Sequence, residues 1–222
     1  MEPHGWDLTF EEARALQERL RDRVDRTDRL GPVRTVAGVD VSYDRGSPFL
    51  FAAIVLLDAA SFEVVDVSGV RARATFPYVP GYLSFRELPA VEQAMARLAR
   101  APDLLICDGQ GLAHPRRFGL ACHLGVLFDV PSIGCAKTRL VGTHREPGPR
   151  RGAHARLLDD GEVVGEVVRT RDGVKPVFVS IGHRICLETA RKWVLALTPR
   201  YRLPATTRAA HAEVNRLRRA QA

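Results

Sequence analysis

Residues 104–137 read LLICDGQGLAHPRRFGLACHLGVLFDVPSIGCAK. Four apolar residues, Leu104–Cys107, stop abruptly at Asp108, and a Gly-rich loop carrying His114, Arg116 and Arg117 follows. A carboxylate therefore stands where a buried strand meets solvent, which is where α/β proteins build their sites. Residues 118–128 then read as a helix and residues 132–135 as a short strand, so the segment by itself argues for an α/β chain.

Upstream, residues 89–100 carry Val91, Met95, Leu98 and Ala99 on one side, and Pro89 suits the first turn of a helix. Before it come three extended segments, 35–43, 49–57 and 62–71, separated by the turn-rich stretches 44–48 and 58–61. Connections this short favour an antiparallel meander. Near the start, Thr9-Phe10-Glu11-Glu12 reads as a capping box, and Ala13, Leu16, Leu20 and Val24 recur behind it at helical spacing. Beyond residue 140, an Arg-, Pro- and Gly-rich linker (142–152) leads to a strand pair, 162–170 and 176–181, turning near Asp172-Gly173. Helices over 187–197 and 206–219 complete the chain. We expect one domain over residues 1–222, with its core at about 34–140 and the N-terminal helix and C-terminal elements packed around it.

The 222 residues are 45% hydrophobic, enough for one large core. The formal charge of +7 points to a polyanionic partner, since each phosphate neutralised by Lys or Arg releases condensed counterions. Cys107, Cys122, Cys135 and Cys186 show neither a CxxC pair nor finger spacing, which excludes a zinc module and a disulfide framework and suits free thiols in a reducing compartment. Neither a signal-peptide core nor a membrane-length apolar run is present, so we expect a cytoplasmic protein, and a monomer.

Three acids stand out. Asp40 interrupts the apolar strand 36–43, Asp108 closes the strand 104–107, and Glu87 precedes the expected helix at 89–100. Acids at strand ends and helix starts can hold hard divalent cations for phosphodiester hydrolysis. Each has an ordinary alternative: Asp40 on the solvent side of an alternating strand, Asp108 as a turn residue before Gly109, and Glu87 in a capping box with Ser84. A helix begun at Ser84 would set Pro89 against the carbonyl of Phe85, which favours the later helix start.

Residues 36–43, 77–87 (PYVPGYLSFRE) and 108–117 (DGQGLAHPRR) resemble, in order, spacing and residue type, three motifs of the endonuclease V family. Residues 135–137, 180–184, 201–204, 207–208 and His211 match later parts of the same family, so the resemblance spans nearly the whole chain. It implies a ribonuclease H-like mixed sheet, antiparallel on one side and parallel on the other. It further implies a Mg²⁺-dependent nuclease, with Mn²⁺ as a substitute, that recognises hypoxanthine in DNA and hydrolyses the second phosphodiester 3′ of the lesion. The ends left would be 3′-hydroxyl and 5′-phosphate. By the same resemblance Asp40, Glu87 and Asp108 bind metal, and Lys137 and His211 act near the scissile phosphate. Tyr78 fills the gap left by a displaced base, and the base lies in a pocket formed by Gly81 to Leu83, Gly109 and His114. Arg116, Arg117, Arg145, Arg150 and Arg151 are candidate phosphate contacts. Two other readings share these residues: an endoribonuclease acting on inosine-containing RNA, and a lesion-binding protein without catalysis.

Overall fold

The computed structural model describes residues 5–44 and 46–220; Arg45, in the expected turn at 44–48, lies outside the described residues. At its centre β1 (Thr35–Ser42) pairs antiparallel with β2 (Phe49–Asp58) and parallel with β4 (Leu104–Cys107). β3 (Val64–Arg73) pairs antiparallel with β2, and β5 (Ser132–Ala136) runs parallel to β4. This half is the sheet expected from the sequence, antiparallel on one side of β1 and parallel on the other.

Helices cover both faces. β2 reads FLFAAIVLLD, an unbroken apolar run of the kind that arises when both faces of a strand are buried. Leu50, Ala52, Ile54 and Leu56 pack with Leu88, Val91 and Ala94 of α2 (Leu83–Met95) and with Leu124 of α3 (Leu120–Phe128). The alternate residues face α5 (Ala205–Ala220): Phe51 and Ala53 against Val214, Val55 and Leu57 against Ala210. α1 (Phe10–Arg21) opens with the expected capping box, Glu12 N–H donating to Thr9 Oγ1 at 3.2 Å and Thr9 N–H to Glu12 Oε2 at 2.8 Å. α4 (Leu187–Ala196) adds Ala190 and Val194 to the same core cluster as Ala13, Leu16 and Leu20 of α1.

The C-terminal strands continue the same sheet. β8 (Val177–His183) pairs antiparallel with β5 and with β7 (Glu162–Val168), and β7 pairs with β6 (His154–Asp159), giving the order β3-β2-β1-β4-β5-β8-β7-β6. β6 has no counterpart in the sequence reading. It is the outermost strand, paired along one edge with β7 and on the other only through a bridge from Leu158 to Thr143, and Leu157 is its one buried residue, so it lacks the apolar alternation that marks a strand.

α2 also departs from expectation. It starts at Leu83 rather than Pro89, and Pro89 sits inside it. Burial of Phe85 and Leu88 along the first turns outweighs the backbone bond that Pro89 cannot donate to Phe85. Ser84 is not a cap: Tyr82 holds that position without a side-chain bond, and Ser84 Oγ lies 3.1 Å from Nδ1 of the buried His123. Glu87 is therefore an interior helical residue facing the sheet side of α2.

All four cysteines are free. No helix among the described residues is long and apolar enough to cross a membrane.

Gly38 fixes how closely α5 approaches β1. A Cβ there would lie 2.1 Å from the carbonyl oxygen of Thr206. Gly38→Ala should therefore push the start of α5 off the sheet and cost about 1–3 kcal/mol. In calorimetry this should read as a Tm lowered by roughly 2–4 °C per kcal/mol, and an unchanged Tm would show that the contact yields without cost.

Candidate active site

The register of β1 against β4 sets Val39 opposite Cys107, so the next residues are Asp40, still within β1, and Asp108, just past the end of the adjacent parallel strand β4. Their side chains are only 12% and 11% exposed. The buried Glu87 faces them from α2. Among the described residues no hydrogen-bond donor reaches its carboxylate. Burial, reinforced by the charges of Asp40 and Asp108 and opposed by Arg86, pushes the Glu87 carboxyl up to about 8. Burial also raises the Asp40 carboxyl; the His211 hydrogen bond works against that shift and the Asp108 charge adds to it.

Two basic groups answer the acids. Lys137, just past β5, pairs through Nζ with Asp108 Oδ2. His211 on α5 places Nδ1 2.8 Å from Asp40 Oδ2. Gly38 and Asp40 are two residues apart on β1 and share the face on which α5 lies, which is why the close approach at Gly38 delivers His211 to Asp40. Asn215, one turn further along α5, sits 3.0 Å from His211 Nε2. With the amide nitrogen of Asn215 donating there, His211 carries its proton on Nδ1 and donates it to Asp40. The sequence reading missed Asn215, although its i+4 spacing from His211 is the signal that finds it.

Among the described residues no group of three or more His, Cys, Asp or Glu side chains is arranged as it stands to hold a metal ion. The donor chemistry nevertheless suits a hard cation. Three mutually repelling carboxylates, one of them buried without a hydrogen-bond donor, offer oxygen donors of the kind a hard cation could take once phosphate and water completed its shell.

Beside the acids lies a cavity of about 230 Å³. Of the residues expected around the base, Gly81, Leu83 and His114 line it and Tyr82 does not; Tyr78, Val79, Pro80, Ser84, Gln110, Gly119, Leu120 and Leu140 join them. Gly109 is not in the wall. It sits behind Leu120, whose Cδ2 would lie 3.2 Å from a Cβ at Gly109, so its smallness admits Leu120 to the lining. Tyr78 stands at the rim, 61% exposed, its ring 6.4 Å from that of Tyr43. Cavity and acids come from the same two segments: the loop into α2 lines the cavity before reaching Glu87, and the chain after Asp108 runs on to Gln110 and His114.

His114 is neutral. Burial first, then the nearby Arg116, brings its imidazole down to about 4. Its Nδ1 accepts from the Arg116 N–H at 3.2 Å, so Nε2 carries the proton and donates to the Gly81 carbonyl at 3.1 Å. Three of the expected phosphate contacts are committed internally. Arg117 binds Asp159 Oδ2 and Glu162 Oε2, each at 2.7 Å, and Arg116 Nη2 donates to the Gly81 carbonyl. Arg151 likewise donates to the Leu195 carbonyl at 2.6 Å, while Arg145 and Arg150 remain exposed.

A profile of the endonuclease V family matches residues 18–212. Endonuclease V of Roseiflexus sp. (strain RS-1) is 60% identical over 207 residues, covering 93% of this chain and 92% of that one. The crystal structure of the endonuclease V of Streptomyces avermitilis superposes with a TM-score of 0.93 at 49% identity, covering 99% of this chain and 98% of that one. Endonuclease V of Ciona intestinalis, in complex with a 24mer DNA containing an inosine followed by a ribo-adenosine, gives a TM-score of 0.83 at 29% identity, covering 96% and 98%. Likeness of this depth, running from α1 into α5 and across every strand that bears an acid, makes the chain a member of the endonuclease V family, a nuclease acting on DNA.

Proposed function

We propose that the protein is a Mg²⁺-dependent endonuclease that recognises hypoxanthine in DNA and hydrolyses the second phosphodiester bond 3′ of it, initiating repair. The observation that carries this reading is Glu87, a buried carboxylate without a protein donor, set against Asp40 and Asp108. Asp40, Glu87 and Asp108 would hold the cation, which supplies a Lewis acid for the scissile phosphate and lowers the pKa of attacking water. Mn²⁺ shares the preference for oxygen ligands and would substitute.

The chain's own residues do the rest. Lys137 places an ammonium beside Asp108 where a phosphate oxygen can share it. His211, held by Asn215, orients the Asp40 carboxylate through Nδ1–H. Tyr78 at the cavity rim is exposed and flanked by Pro77 and Pro80, so it can enter a base stack as a stiff wedge while the displaced base occupies the cavity. The largely apolar lining, with a neutral His114, suits an uncharged purine better than a phosphate. The inosine bound to the Ciona relative supports this choice of base, and the ribo-adenosine next to it supports a second reading, cleavage of inosine-containing RNA.

End-labelled duplexes carrying one deoxyinosine, and the matching inosine RNA, separate these readings. With Mg²⁺ we expect a cut at the second bond 3′ of deoxyinosine, slowed at least about a hundredfold by Asp108→Ala. A cut in RNA alone would move the function to RNA processing, and no cut in either would sink the nuclease reading of this site.

The raised carboxyl of Glu87 gives a pH signature in metal-free protein. Its ordinary value is 4.5 and its folded value about 8, so the folded state holds the proton more tightly than the unfolded chain. The associated stability is complete below about pH 4.5 and is lost as pH rises toward 8. Thermal melts in EDTA should show Glu87→Gln gaining Tm over wild type across that window, with little difference at pH 4.5. A difference that stays flat with pH would mean that Glu87 is not held in this environment.

A further inference from the structure

α1 lies outside the strands and helix that carry the acids, yet one of its residues reaches the cavity loop. Gln17 is only 1% exposed and shares the inward face of α1 with Ala13, Leu16 and Leu20. A polar amide on such a face is costly unless it is bonded, and here every bond runs to distant parts of the chain. Its Nε2 donates to the Gly81 carbonyl at 3.1 Å and to the Phe118 carbonyl at 3.2 Å, while its Oε1 accepts from Arg116 Nε at 2.6 Å.

Arg116 extends the same grip. Held at Nε by Gln17, it donates through Nη2 to the Gly81 carbonyl, and its guanidinium lies 4.2 Å from the centre of the Tyr82 ring. Gly81 thus receives Gln17, Arg116 and His114 on one carbonyl. Its φ of +83° is reached at no steric cost by glycine alone. The loop so held runs straight from Tyr78 at the rim to the start of α2. Gln17 lies one residue before the segment matched by the family profile.

We propose that Gln17 is a positioning residue for lesion recognition. Through Arg116 and the Gly81 carbonyl it latches the Tyr78–Tyr82 loop to the His114 loop and so preorganises the wall that receives the base. The inference rests on the hypoxanthine reading given above. A loop ordered beforehand loses less entropy on binding, so the latch acts on affinity. The bond-breaking step is left alone, because Asp40, Asp108 and Glu87 are placed by β1, β4 and the buried body of α2.

Two variants of the full chain test it. Gln17→Met keeps the volume and removes every hydrogen bond; Gln17→Glu keeps an acceptor for Arg116 and removes both donors. Hydrogen exchange without nucleic acid reads the latch directly, and amides in residues 78–82 should exchange about tenfold faster in Gln17→Met, with β1 and β4 unchanged. Single-turnover nicking of a deoxyinosine duplex over a range of enzyme concentrations should show half-saturation about five- to tenfold higher and a limiting rate within about twofold of wild type. Gln17→Glu should fall between wild type and Gln17→Met in both readouts. Wild-type exchange in 78–82 together with unchanged half-saturation overturns the latch alone, as does a lower limiting rate at unchanged half-saturation. A wild-type protein that leaves the duplex intact overturns the hypoxanthine reading and the latch together.

Discussion

Parallel pairing of β1 with β4, Val39 opposite Cys107, brings Asp40 in β1 beside Asp108 at the end of β4, and much of the molecule answers the electrostatic cost of that placement. Lys137 leaves β5, the next parallel strand, to pair with Asp108. α5 settles onto β1 at Gly38 and brings His211 to Asp40. Glu87 enters from α2 with no such partner, and its carboxyl rises accordingly. A fold that served stability alone would not bury a third acid against two others; carboxylates held against their own repulsion are what a phosphodiesterase needs ready for a cation.

The cavity obeys a different requirement. Its lining is mainly apolar, and most of the polar groups around it are tied to other protein groups: His114 donates to Gly81, Arg116 donates to Gly81, and Arg117 is tied to Asp159 and Glu162, while Oε1 of Gln110 in the wall is buried without a partner among the described residues. Cationic side chains that the sequence offers to phosphate are used to fasten loops. On the function proposed above, the anchoring suits a loop that presses an aromatic into a stacked duplex, since a slack loop would lose the contact to its own entropy.

Much of the sheet was legible in the sequence because its strands are apolar and bounded by turns. The run at 104–107 ended by Asp108, the meander over β1 to β3 and the hairpin of β7 and β8 all follow from period and punctuation. β6 was illegible because an edge strand buries too little to show alternation. The start of α2 was misplaced because Pro89 is a strong local signal that the burial of Phe85 and Leu88 overrides. In the site, Gly81, Leu83, His114 and Tyr78 were placed at the cavity through the resemblance to endonuclease V. Gly109 acts one layer back through Leu120, a relation that depends on packing rather than on motif. Asn215 lies outside the motifs and carries only its i+4 spacing from His211 as a signal, and Gln17 announces itself only once α1 is docked.

If Asp40, Glu87 and Asp108 form one cation site, the metal-free protein should take up Mg²⁺ through all three. Isothermal titration of Mg²⁺ into wild type, Glu87→Gln and Asp108→Ala reads this without any nucleic acid present. Saturable binding in wild type, accompanied by proton release that grows as the pH is lowered below about 8 and is absent in Glu87→Gln, is the expected result. Binding of equal strength in all three proteins, or none in wild type, would contradict it.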